Sequence, residues 1–131
     1  MVEIPDTFVR NEPVTPASLQ KCEMDLQVSL RDDYRAFMLQ CNGGEGVIGQ
    51  GYLALWTIEE LADLNRDYEV EESAPGLVVF GSDGGGEAFA FDYRDEARNY
   101  VRVPFVGMSL ELIVSLGSNL EEFFGAVARC I

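Results

Sequence analysis

At Pro75-Gly76 the apolar residues change period. Upstream they recur every three or four positions, as in Leu19, Cys22 and Leu26. Downstream they gather into short runs, Leu77 to Phe80 and Ala88 to Phe91, split by Ser82-Asp83-Gly84-Gly85-Gly86. The first spacing lines one face of a helix, and the second suits strands joined by a tight turn. Helices collected before strands do not alternate as a βαβ winding requires. They predict an α+β fold, an antiparallel β-sheet meander packed with N-terminal helices and a C-terminal helix.

The elements follow from local chemistry. A chain of 131 residues has the length of one ordinary domain, spanning 1–131, with residues 1–14 and their two prolines as a lead-in arm. Thr15-Pro16 supplies a hydroxyl cap and a proline at the first helical position, and Val14 can staple to Leu19. A second helix is predicted from Asp32, burying Tyr34, Phe37, Met38 and Cys41 and stopping at Asn42-Gly43-Gly44. The five glycines between Asn42 and Gly51 read as an exposed connector. Tyr52 to Trp56 is a short strand, and Thr57-Ile58-Glu59-Glu60 is a capping box for a third helix burying Ile58, Leu61, Leu64 and Tyr68. Further strands are expected at Tyr100–Phe105 and Leu112–Leu116, with Pro104 at an edge or a strand end. Ser118-Asn119-Leu120-Glu121 opens a last helix, and Phe80, Phe89, Phe91 and Phe123 should share one core.

Charge and missing residue types exclude much chemistry. Twenty-three acids against nine cations leave a formal charge of −14, a field that repels phosphate backbones and anionic lipids. Direct nucleic-acid and membrane binding are therefore not expected, and no apolar run approaches the ~20 residues of a membrane span. The opening Met1-Val2-Glu3-Ile4-Pro5-Asp6 lacks the basic start and apolar stretch of a secretion signal, so the expected compartment is the cytoplasm. With no histidine, Ser-His-Asp and Cys-His catalysis and His-ligated zinc are impossible. Cys22, Cys41 and Cys130 have no Cys-x-x-Cys spacing and read as buried thiols. Neither glycine-rich segment ends in Gly-Lys-Ser/Thr, and both carry carboxylates that would repel phosphate. The EF-hand ligand spacing is missing around Asp83 and Glu87. Asp32-Asp33 and Glu59-Glu60 suit helix starts, where negative charge is favourable. The expectation is no catalytic residue, no cofactor and no metal.

The ordered set of segments resembles the SUKH superfamily, the Smi/Knr cell-wall-regulator-like proteins, from about Leu19 to Ala128. The resemblance is carried by Leu30-Arg31-Asp32-Asp33-Tyr34-Arg35-Ala36-Phe37 ending in Asn42-Gly43-Gly44; by Leu55-Trp56-Thr57-Ile58-Glu59-Glu60-Leu61; by Phe80-Gly81-Ser82-Asp83-Gly84-Gly85-Gly86-Glu87-Ala88-Phe89-Ala90-Phe91-Asp92; and by Ser118-Asn119-Leu120-Glu121-Glu122-Phe123-Phe124. Arg31 stands where the family typically has proline, and Glu87 where aspartate often follows the glycines. The resemblance implies an α+β domain without catalysis. Its bacterial members are largely cytoplasmic immunity proteins that bind a cognate polymorphic toxin, often a nuclease, and its fungal members regulate through protein partners.

The residues point to a binder on their own account. From Glu59 to Glu72 seven acids accompany one cation, Arg66, a local charge of −6. The whole chain far exceeds the magnitude of roughly 2 to 8 that keeps a small domain soluble. A solvated helix face explains part of this run, and a basic protein partner, such as a toxin domain, explains the excess. The expected partner-binding residues are Glu45, Glu59, Glu60, Asp63, Asp67, Glu69, Glu71 and Glu72, with Trp56 as anchor if exposed and as core if not; Tyr52 is a further anchor candidate. A regulatory scaffold is the second reading. A carboxylate-dependent hydrolase is the third, and it requires acids converging in a pocket.

Overall fold

The runs after Pro75 become adjacent strands of one sheet. A computed structural model describes residues 5–129. They run as β1 (Phe8–Arg10), α1 (Pro16–Leu26), α2 (Asp32–Met38), β2 (Gly44–Ile48), β3 (Gly51–Leu55), α3 (Ile58–Asp67), α4 (Val70–Ser73), β4 (Leu77–Ser82), β5 (Glu87–Asp92), β6 (Tyr100–Pro104), β7 (Val114–Gly117) and α5 (Leu120–Ala128). Strand order in space repeats strand order in the chain, and every pairing is antiparallel. The fold is α+β and the sheet is a meander, as the change of period predicts.

Two strands lie where none is expected. β1 forms inside the lead-in arm and pairs Phe8 with Gly46 and Arg10 with Gly44, while Phe8 is buried; Met1 to Ile4 lie outside the described residues. The stretch Asn42–Gly51 is not a loop over its middle, because β2 alternates Gly44, Gly46 and Ile48 inward with Glu45 and Val47 outward. Glycine has low strand propensity, so nothing local announces this strand. Its cause is the neighbour. A Cβ at Gly44 would run into the Val9 carbonyl oxygen, and one at Gly46 into that of Thr7, at φ of +144° and +158°. β1 can lie this close only over glycine.

Smaller differences concern boundaries. Thr15 caps α1 as expected, its hydroxyl accepting the Ser18 N–H at 3.1 Å. α2 ends at Met38, short of Asn42. The cap of α5 is Asn119, whose side chain accepts the Glu122 N–H at 2.8 Å, and the Glu122 carboxylate takes the Ser118 N–H at 2.8 Å. The last strand starts at Val114 because Leu110–Leu112 closes into a 3₁₀ turn.

The sheet is covered on both faces. On one, Phe80, Phe89, Phe91 and Phe123 share a buried cluster with Tyr34 of α2 and Tyr100 of β6. Phe80 stacks on Phe91 at 4.4 Å, and Phe89 meets Phe123 edge-on at 5.1 Å between ring centroids. Such pairs contribute about 0.5 to 1.5 kcal/mol each beyond area burial. The other face is lined by smaller side chains, Val79, Ala88, Ala90, Val101 and Val103, under Val70, Ala74 and Met108. That shallower layer carries α4 and seats the far end of α3.

Candidate functional site

The acidic run begins where β3 leaves the sheet. β3 pairs with β4 at Ala54 and Leu55 only, so beyond that point β4 offers unpaired backbone on that side. The buried Asn65 of α3 takes it up. Its side chain accepts the Val79 N–H and donates to the Val79 carbonyl, each at 2.8 Å, and donates to Leu61 O within its own helix. The amide thus stands in for a strand and fixes α3 against the sheet. No sequence pattern announced it.

The start of α3 is built as the capping box predicts. The Glu60 carboxylate accepts the Thr57 N–H at 3.3 Å and the Thr57 hydroxyl at 2.8 Å. Asn42 adds a second tie, accepting the Ile58 N–H at 2.8 Å and donating to Glu59 at 2.7 Å. Glu59 and Glu60 are therefore exposed yet engaged in holding the helix start. Asp63 and Asp67 flank Arg66 at 2.9 and 3.9 Å, solvent-facing pairs of the kind that contribute about 0 to 1 kcal/mol.

The end of the run is more ordered than a trailing loop. α4 forms one turn because Val70 and Ala74 are buried against Leu77 and Val79. Glu69 enters it with a left-handed backbone, φ 53°. Glu69, Glu71 and Glu72 all face solvent, and among the described residues no cation pairs with them.

Trp56 is neither core nor fully exposed. It is half-buried, touches both apolar clusters and meets two more rings. Tyr68 lies 6.0 Å away at 13° between planes and Phe105 6.4 Å away at 25°, while Tyr68 and Phe105 are 4.8 Å apart. Helical spacing alone places Tyr68 inward on the third helix. The helix ends at Asp67, and Tyr68, turned out of it, is 49% exposed. The sequence reading missed both partners of Trp56.

Glu45, Trp56 and Glu60 line a groove of about 280 Å³ between the β1–β3 edge and the start of α3. Glu45 accepts the Tyr52 hydroxyl at 2.6 Å, which raises the Tyr52 pKa. Asp63 and Asp67 lie further along α3, and Glu69, Glu71 and Glu72 on the turn and α4, outside that groove. The nine residues thus occupy neighbouring elements and do not converge on one pocket. A larger depression, about 490 Å³ beside Ser29, Tyr93, Arg94 and Arg98, contains none of them.

Chemistry elsewhere is muted. Burial pushes the Cys22 thiol up to about 12 and raises that of Cys41; Cys130 lies outside the described residues. Among the described residues no three acids or thiols are grouped to hold a metal ion, and no helix is long and apolar enough to cross a membrane. The sequence model of the SMI1 / KNR4 family (SUKH-1) matches residues 13–126. No curated protein matches the chain.

Proposed function

The chain belongs to the SMI1 / KNR4 family (SUKH-1), and from that premise we propose that it is a non-catalytic binding protein of the immunity type, which neutralises a cognate toxin domain in the cytoplasm by occupying it. The observation that carries the reading is the run of exposed carboxylates on α3, its following turn and α4, of which Glu69, Glu71 and Glu72 face no cation among the described residues, beside the half-exposed Trp56. Family members bind partner proteins, and charge says which kind this surface suits. A nuclease holds nucleic acid in a cationic site, so a protein of charge −14 is steered toward it and competes for it. Glu45, Glu59, Glu60, Asp63, Asp67, Glu69, Glu71 and Glu72 supply the field, and an aromatic contact slows release.

The test is to read the reading frames that neighbour this chain's own and to co-express it with the carboxy-terminal domain of a large toxin-like protein found there. Survival of the cells, a stoichiometric complex on gel filtration and loss of the domain's nuclease activity in that complex are expected. Death of the cells despite folded protein, or no complex, overturns the reading. A complex that leaves the partner's activity intact would point instead to regulation.

A further inference from the structure

We infer that Trp56, Tyr68 and Phe105 form an aromatic platform that seats an arginine side chain of a basic partner protein. The inference rests on the partner-binding reading and adds to it what the partner must present. The three rings lie within 6.4 Å of one another, with planes 13° to 38° apart, so they pack on one another as one aromatic group, and Tyr68, the most exposed of the three, offers the accessible ring. They sit at the rim of the shallower core, with Tyr68 half exposed and Val106, next to Phe105 in the chain, 90% exposed.

The surroundings select the occupant. Asp67 and Glu69 bracket Tyr68 in the chain, Glu69 facing no cation among the described residues and Asp67 only a solvent-exposed Arg66 at 3.9 Å, and Glu60, bound to Thr57 through one oxygen, shares the groove with Trp56. A group that is flat, apolar on its faces and cationic at its edge satisfies rings and carboxylates together. Guanidinium has that form, whereas lysine ammonium is a compact, strongly hydrated point charge with no face to stack. A nucleic-acid base would stack, but its phosphates meet the acids. A second copy of this chain would bring another net charge of −14. The fold already uses the same contact internally, with the Arg31 guanidinium 5.3 Å from the centre of the Tyr100 ring. Cation–π contacts strengthen as they are desolvated, which suits a partner that covers the patch.

Trp56 is the sole tryptophan, so its emission reports on this patch alone. The probes are hexaarginine and hexalysine peptides, equal in charge, titrated at low ionic strength by calorimetry and by Trp56 fluorescence. Hexaarginine should bind about three- to tenfold more tightly than hexalysine and shift the Trp56 emission. Tyr68→Ala should bring the ratio close to one while hexalysine affinity stays within about twofold, and Tyr68→Phe should restore the ratio. Replacing Glu71 and Glu72 with Lys should weaken both peptides alike. An unchanged ratio in Tyr68→Ala, binding that leaves Trp56 emission unmoved, or no binding of either peptide overturns the platform. Dimerisation abolished by Tyr68→Ala would also overturn it, in favour of a second copy. Toxin neutralisation without arginine preference removes the platform and spares the proposed function. Arginine preference without neutralisation does the reverse.

Discussion

The carboxylate of Asp33, at the start of α2, accepts the backbone N–H of Leu120, the first residue of α5, at 2.8 Å. The same side chain accepts the Tyr34 N–H at 2.8 Å, the Tyr100 hydroxyl at 3.0 Å and Arg31 at 3.1 Å. One acid therefore holds two helix starts and a strand together. Arg31 completes the junction by donating to the carbonyls of Ala97 and Ser118. The Arg31 side chain is thus built into the fold.

Asparagine at position 33 should cost about 2 kcal/mol at neutral pH, since hydrogen bonds to a charged acceptor are each stronger than neutral ones. Burial pushes the Asp33 carboxyl up, but the hydrogen bonds from Arg31, Leu120 and Tyr100 outweigh it and hold it below its ordinary 3.8. Its contribution is then fully present above about pH 4 and is lost as pH falls through the lower, folded value. Urea denaturation at pH 7, 4 and 3 should show the gap between wild type and Asp33→Asn narrowing with acid. A gap independent of pH would contradict the assignment.

Asn65→Ala leaves both backbone groups of Val79 buried without partners, and it should destabilise by about 2 to 4 kcal/mol. Asn65→Asp keeps the acceptor and loses the donor, so it should also destabilise. Hydrogen exchange at Val79 is the local readout, and faster exchange there without global unfolding is expected.

Gly46→Ala forces a side chain against β1 and should cost about 1 to 3 kcal/mol. At Gly86 a Cβ meets nothing within 4 Å, so Gly86→Ala should stay within about 0.5 kcal/mol of wild type. Equal stabilities for the two alanine variants would mean that β1 does not lie on β2.

Reversal of Glu71 and Glu72 to Lys should leave the denaturation midpoint nearly unchanged, because exposed charges add little stability. Association with the basic partner should slow by about three- to tenfold at low salt and lose part of its salt dependence, with dissociation little altered. Stopped-flow mixing at two ionic strengths is the measurement. An unaltered association rate would move the interface off α4.

Local chemistry was legible in the sequence and long-range chemistry was not. The caps at Thr15 and Thr57 involve groups three residues apart, and both form as read. At α5 two good caps, Ser118 and Asn119, stand side by side, and sequence had no means of choosing. Phe80, Phe89 and Phe91 meet because strand alternation fixes which face each one takes, and Phe123 joins them from the apolar stripe of α5. β2 was illegible because its glycines are explained by a strand more than thirty residues upstream. Besides their local partners, Asn65 and Asp33 reach groups fourteen to eighty-seven residues away, beyond any local pattern. For the site, the acidic elements could be read off the charge run. The ring cluster could not, since it joins Trp56 and Tyr68, at opposite ends of α3, to Phe105 after β6.

β1 is three residues long and sits at the edge of a sheet whose order never departs from chain order. Detachment of its arm breaks a single strand pairing, and it uncovers β2. The newly bared edge reads Gly44-Glu45-Gly46-Val47-Ile48, weak in strand propensity and charged near its start, which makes it a poor template for another chain. The glycines that let β1 lie close also guard against aggregation when it lifts away.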